Sequence, residues 1–246
     1  MAPRRGRGAT RLALKPAGWL WRGLKLALAG LLALFLLVQL WFAGHILWWR
    51  SHNPESTHFM SLRLDELQQA NPNAQLRYQW VPYARISVHL KQAVVAAEDD
   101  GFVDHEGFDW EGMQKALEKN QRKGRIVAGG STISQQLAKN LFLSPGKSYL
   151  RKAEEAVITL MLEALLDKRR ILELYLNVVE WGNGVFGAEA AARHYFGTSA
   201  AALSPEQAAR LAVTLPNPRK YERMFGPRLQ AHAQRVQARM RYSEVP

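Results

Sequence analysis

The sequence predicts a mainly α-helical domain carried behind one membrane-spanning helix. Three observations predict it. Leu26 to Trp49 is a run of 24 residues without Asp, Glu, Lys or Arg, dominated by Leu, Ala, Phe and Trp. From Ile86 onward Ala and Leu recur at helical spacing, with few β-branched alternating runs. Breakers then cut that pattern into helix-sized pieces: Gly129-Gly130, Pro145-Gly146, Gly182-Asn183-Gly184 and Pro216-Asn217-Pro218.

The chain opens with a basic stretch. Residues 1–25 hold Arg4, Arg5, Arg7, Arg11, Lys15, Arg22 and Lys25 and no acid. They carry 7 of the net charge of +12, which leaves the other 221 residues only mildly basic. A nucleic-acid partner would more often meet a basic stripe on the folded body, so none is expected. Residues 26–49 come next. At about 1.5 Å per residue a helix of this length crosses a ~30 Å hydrocarbon core. Trp19 and Trp21 precede it, and Trp41, Trp48 and Trp49 lie near its far end, as interfacial belts require. The positive-inside rule puts the N-terminus in the cytoplasm and the body across the membrane. Trp48-Trp49-Arg50 is a poor small-residue cleavage site, which favours an uncleaved anchor over a signal peptide.

Residues 50–85 are polar and interrupted by Pro54, Pro72 and Pro82, with a short helix expected around Leu62, Leu64 and Leu67. They read as a lead-in to a domain covering 86–246. In that domain helices are expected over 86–98, 109–121, 131–141, 148–166, 168–177, 185–195, 204–214 and 228–241. The helix from Ser148 carries Val157, Ile158, Leu160, Met161, Leu162, Leu165 and Leu166 over most of its circumference, the pattern of a buried helix. Glu155 heads its row Glu155-Ile158-Leu162-Leu166, so a carboxylate shares a face with apolar side chains. Such a group must be paired, protonated or functional. The last helix carries Arg228, Arg235, Arg239 and Arg241 and fits either a packed helix or one touching phospholipid headgroups.

The absence of cysteine excludes disulfides, a thiol nucleophile and Cys-ligated metal. His52, His58, His89, His105 and His194 lack ligand spacing, so no zinc site is expected. Ser144-Pro-Gly-Lys147 and Ser51-His-Asn53 match acyl-serine patterns formally. Their order is wrong and no K-T-G accompanies them.

Three clusters remain. Glu98-Asp99-Asp100 follows the apolar turn Ala93–Ala97 and precedes Gly101. Acids are disfavoured at a helix C-terminus, and neighbouring carboxylates raise one another's pKa. A carboxylate poised that way can take a proton from a hydroxyl, although a solvated acidic loop has the same sequence. Gly129-Gly130-Ser131-Thr132 opens a helix with good caps, which would leave amides free for phosphate. Gln135, Gln136, Lys139 and Asn140 follow over two turns and suit a sugar-phosphate, or simply form a polar face. Lys147, Arg151 and Lys152 would neutralise an anionic leaving group, or form a solvated basic face.

These residues in this order resemble the peptidoglycan glycosyltransferases, glycosyltransferase family 51, and within them the monofunctional biosynthetic enzymes. The resemblance covers about residues 85–225. The block E-D-x-x-F-x-x-H-x-G-x-D is met by Glu98, Asp99, Phe102, His105, Gly107 and Asp109. G-x-S-T-I-T-Q-Q-x-x-K-N is met from Gly129 to Asn140, with Ser134 for the usual Thr. R-K-x-x-E is Arg151, Lys152 and Glu155. Lys168 with Ile171–Asn177, then Gly184, Gly187, Glu189 and Tyr195–Gly197, then Pro216–Pro218 and Tyr221 complete the series.

The resemblance implies a lysozyme-like helical fold with a smaller membrane-proximal lobe. It implies polymerisation of lipid II onto a lipid-linked glycan strand, with inversion and release of undecaprenyl pyrophosphate. Glu98 is then the expected general base and Glu155 the second catalytic carboxylate. Asp99, Phe102, His105, Ser131, Thr132, Gln135, Gln136, Lys139, Asn140, Lys147, Arg151 and Lys152 are expected on the substrate. No cofactor is required, and a divalent cation, Mg or Mn, would add charge at the pyrophosphate. Membrane lipids, and proteins of cell-wall synthesis or division, are the other expected partners. The setting is an inner membrane with the domain in the periplasm. A lytic enzyme on the same fold and an inactive membrane scaffold are the competing readings.

Overall fold

The computed structural model describes residues 17–125, 129–146 and 148–246. The basic residues Arg4, Arg5, Arg7, Arg11 and Lys15, and Lys147, lie outside them. The chain divides into two compact units after Trp41. Helix α1 (Ala17–Trp49) runs through the first unit as far as Trp41 and ends in the second, and its exposed side chains are mostly Leu, Phe and Trp. Within it Trp21–Trp49 is long and apolar enough to cross a membrane. The helix begins before the charge-free run, because Arg22 and Lys25 are good helix formers.

The second unit runs from Phe42 to Pro246. Helix α2 (His58–Ala70) is capped by Thr57, whose hydroxyl accepts the Met60 amide. Strand β1 (Arg77–Tyr78) follows. Then come α3 (Val88–Glu98), α4 (Trp110–Lys123), α5 (Ile133–Phe142), α6 (Tyr149–Leu165) and α7 (Lys168–Val178). Strands β2 (Glu180–Gly182) and β3 (Val185–Phe186) lead into α8 (Ala188–Phe196), α9 (Pro205–Ala212), α10 (Pro218–Arg223) and α11 (Pro227–Arg239). The fold is mainly α, as expected.

The segment over 50–85 is packed into this unit. Phe59, Met60, Val81 and Tyr83 are buried in its core. Asn177 of α7 clamps it, donating to the Val81 carbonyl and accepting the Val81 amide, both at 2.9 Å.

Helix α5 lies at the centre, against α2, α6 and α7. Ile133, Leu137, Ala138 and Leu141 are buried, as a helical stripe demands. Helix α6 departs from its expectation. Only Glu155, Ile158, Thr159 and Leu162 are buried, and Leu160 is exposed. One face of α6 meets α5, so the row headed by Glu155 holds while the rest of the circumference does not.

The small sheet, in order β1-β3-β2, was not expected. Its strands of two or three residues are too short to show alternation. It displaces the start of α8 from 185 to 188. Gly187 makes the turn between them with φ +82°, and a Cβ there would lie 2.7 Å from the Asn177 carbonyl oxygen. Only glycine meets both demands. The short α10 also escaped the sequence pattern. It is six residues long, with Pro218 in its first turn and Asn217 as cap.

Candidate active site

Glu98 is the last residue of α3 and opens into a cleft of about 740 Å³. Gln136 on α5 donates from Nε2 to Glu98 Oε2 at 2.7 Å. The Tyr175 hydroxyl on α7 donates to Gln136 Oε1 at 2.8 Å. Tyr175 is fully buried, so the relay fixes which end of the Gln136 amide faces Glu98. Burial pushes the Glu98 carboxyl above the usual range. The Gln136 bond and the Lys139 charge oppose that rise, and neighbouring Asp99 adds to it. Oε1 of Glu98 accepts no bond among the described residues and is the oxygen left for a proton.

Asp99 serves the scaffold behind Glu98. Its Oδ2 accepts the Ile133 amide and its Oδ1 accepts His105 Nε2, each at 2.9 Å. His105 Nδ1 in turn accepts the Gly107 amide at 3.1 Å, which fixes the proton on Nε2. The Thr132 hydroxyl donates to the Gly107 carbonyl at 2.7 Å, and Lys168 donates to the carbonyl of His105. Phe102 is buried with the Lys168 ammonium 4.7 Å from its ring centre. Phe102 and His105 therefore brace the loop from Asp99 to Asp109, and neither lines the cleft. Asp99 and Thr132 line a smaller annex, about 150 Å³, with Asp100, Asp109 and Met113. Glu98 and Ser131 line both spaces.

The head of α5 corrects one expectation. Its amides were to be free for phosphate. Part of that set is taken: the Ile133 amide goes to Asp99 and the Gln135 amide to Thr132 Oγ at 3.2 Å. Gln135 Oε1 returns the bond to the Thr132 amide at 3.0 Å, completing a capping box. Charged side chains lie further along.

Those side chains form one wall of the cleft. Lys139 projects from α5, and Arg151, Lys152 and Glu155 project from α6. Glu155 is buried, with Oε2 taken by Arg151 at 2.7 Å and Oε1 by Lys152. Lys139 makes no hydrogen bond or ion pair among the described residues. Burial lowers its pKa, Glu155 opposes that, and Arg151 lowers it further. Arg151 Nε is buried without a partner. Lys139 is thus a cation of the cleft wall with no ion-pair partner among the described residues, which leaves it available to an anion. Asn140 is buried and faces an adjoining recess.

Sequence reasoning missed part of the cleft. Lys119 of α4 and Leu229 and His232 of α11 line it. Burial lowers the His232 pKa, with Arg235, Arg239 and Lys119 adding to it. The basic terminal helix is a packed one: Ala233 and Val236 are buried, and Arg239 donates to the Ala96 carbonyl. Nothing in the local pattern signals that a helix this far along the chain meets Glu98. Tyr175 carried a signal only through the family pattern.

Comparison with known proteins agrees with the geometry. The family model described as "Transglycosylase" matches residues 65–242. A biosynthetic peptidoglycan transglycosylase of Azoarcus sp. strain BH72 is 70% identical over 227 residues, 92% of this chain and 98% of the relative. One from Aromatoleum aromaticum is 68% identical over 225 residues, covering 92% and 98%. One from Dechloromonas aromatica is 71% identical over 202 residues, covering 82% and 87%.

Proposed function

The chain belongs to the transglycosylase family, and from that premise we propose how its cleft polymerises lipid II into glycan strands for the cell wall. One observation carries the reading. A half-buried carboxylate, Glu98, and a cationic wall, Lys139 with Arg151 and Lys152, line the same cleft, with Gln136 bonded to the carboxylate.

The incoming 4-hydroxyl of the acceptor GlcNAc gives its proton to Glu98 Oε1. Its oxygen attacks C1 of the donor MurNAc from the face opposite the pyrophosphate. The C1–O bond to phosphate breaks, and undecaprenyl pyrophosphate leaves with the bonding electrons. The anomeric centre inverts. A positioned general base contributes roughly 10²–10⁴-fold, and burial, by raising its pKa, makes it a better proton acceptor. Lys139, Arg151 and Lys152 stabilise the charge on the leaving diphosphate, so no general acid is needed. Glu155 acts through its ion pairs, holding Arg151 and Lys152 in place.

The Glu155 pairing keeps that carboxyl from serving as the acid of a lytic enzyme. A lysozyme-type hydrolase needs a protonated carboxyl at the leaving oxygen. Glu155 has both oxygens engaged by cations. A divalent ion would enter with the diphosphate as part of the substrate.

Helix α1 then crosses the inner membrane, with the basic N-terminus in the cytoplasm and the second unit in the periplasm. Tethering holds enzyme and lipid-linked substrate in one plane and raises their effective concentration.

Purified full-length protein supplied with lipid II, with and without a chelator, tests the reading. Glycan polymer is the expected product in both arms. Soluble fragments released from finished sacculi, with no polymer from lipid II, would establish the lytic reading instead. An inert scaffold would give neither.

A further inference from the structure

The cleft has two ends of different character. Lys139 of α5 with Arg151, Lys152 and Glu155 of α6 make one, and those two helices pack on each other. Leu229 and His232 of α11, with Lys119 of α4, make the other. Helix α11 packs on α3 and α9. Val236 seats it in the core, and Arg239, one turn further, donates to the carbonyl of Ala96, two residues before Glu98. Leu229, His232, Val236 and Arg239 are spaced three, four and three, so they share one face of the helix. That face looks onto the end of α3, where Glu98 stands. His232 lies seven residues before Arg239, roughly 10 Å along the axis.

The two ends answer to separate charges. Glu155, Arg151, Glu98 and Lys152 act on Lys139, whereas Arg235, Arg239 and Lys119 act on His232. The His232 imidazole is half-buried in the cleft wall and makes no hydrogen bond or ion pair among the described residues. Burial and the three cations disfavour a proton on the ring. A neutral imidazole offers one N–H and one acceptor nitrogen, and a hydroxyl answers both, whereas a diphosphate brings acceptors alone. Leu229, one turn before, adds an apolar surface that suits the C–H face of a sugar ring. None of the sequence blocks that carry the family resemblance reaches α11.

We propose that His232 holds the incoming acceptor, its ring nitrogens hydrogen-bonding a hydroxyl of the acceptor saccharide while Leu229 lies under the sugar ring. The inference rests on the transglycosylase reading given above. The nucleophile enters opposite to the leaving diphosphate. With the diphosphate at Lys139, the sugar that carries the nucleophile occupies the side of Glu98 that faces α11. Lys119 alone would suit an anion there, and the test separates the two ligands.

Polymerisation of lipid II is measured with the full-length parent and its His232→Phe, His232→Gln and His232→Lys variants. Phe keeps a ring and loses both nitrogens, so KM is expected to rise roughly tenfold with kcat little changed. Gln restores a donor and an acceptor, and its KM is expected within roughly threefold of the parent's. Lys supplies charge and no acceptor, and its KM is expected to be as high as that of Phe. An unchanged KM for the Phe variant overturns the proposal. An equal loss in Phe and Gln does so too, because it marks a packing role. A Lys variant that matches or betters the parent overturns it as well, because the ligand at this end is then an anion. Melting midpoints report whether each variant folds. A second measurement leaves His232 in place. Glu98→Gln protein carrying isotope-labelled histidine is saturated with lipid II, and the His232 ring-nitrogen resonances are expected to move. Resonances that stay at their ligand-free positions overturn the proposal. Absence of polymer from the parent would defeat the transglycosylase reading itself, and this one with it.

Discussion

Gln136 and Glu98 lie 38 residues apart in sequence and are joined by a 2.7 Å hydrogen bond from amide to carboxylate. Tyr175, itself 39 residues beyond Gln136, holds the other end of that amide. The Glu98 carboxylate is therefore aimed by groups on two other helices.

Glu98→Gln removes the proton acceptor while keeping the shape. We expect a fall in kcat of roughly 10²–10⁴-fold with an unchanged melting midpoint. Polymerisation of lipid II at the parent rate by the purified variant would show that Glu98 is not the base.

The pH profile tests the relay. Activity needs Glu98 ionised, and burial raises its pKa. The acidic limb of kcat/KM is thus expected above the ordinary carboxylate range. Gln136 favours the ionised form, so Gln136→Leu removes that help and moves the limb to still higher pH. A limb that stays put or moves to lower pH would count against Gln136 as the group that tunes the base.

Lys139→Ala is expected to lower kcat/KM by roughly 10²–10³-fold, since it deletes an electrostatic donor in a shielded site. Burial also lowers the Lys139 pKa, so the alkaline limb in the parent should fall before an ordinary lysine titrates. If the alanine variant kept the same alkaline limb and rate, Lys139 would have no part in the reaction.

Asp99→Asn separates scaffold from substrate contact. The Ile133 amide and His105 Nε2 both donate to Asp99, so an amide group must turn its own N–H toward one of them. The expected cost is about 1–3 kcal/mol of stability, read from the denaturant midpoint. A fully stable variant with a raised KM would instead make Asp99 a substrate ligand.

Gly187→Ala should cost about 2 kcal/mol or more, because φ is +82° and the added Cβ would meet the Asn177 carbonyl at 2.7 Å. A melting midpoint equal to the parent's would show that the turn relaxes freely.

Much of this was legible in the chain. The charge-free run marked the anchor, and the breakers placed most helix ends within a few residues. The row headed by Glu155 correctly put a carboxylate on the buried face of α6, paired by the basic residues one turn before it. The small sheet and α10 were not legible, because two to six residues carry no period. That the Ile133 amide at the head of α5 is taken was not legible for a different reason. Its partner, Asp99, lies 34 residues away, and spacing says nothing about it.

By itself, then, the sequence determined which segments are helical, which one suits a bilayer, and which acids, amides and cations are available for chemistry. Those are local properties, set by composition and by a period of 3.6 residues. Only the tertiary structure decided that Asp99, Phe102 and His105 brace a loop while Glu98 faces the cleft, and that α11 supplies a wall. Each of those depends on groups tens of residues apart meeting within hydrogen-bond distance, and that meeting is fixed by how the helices pack.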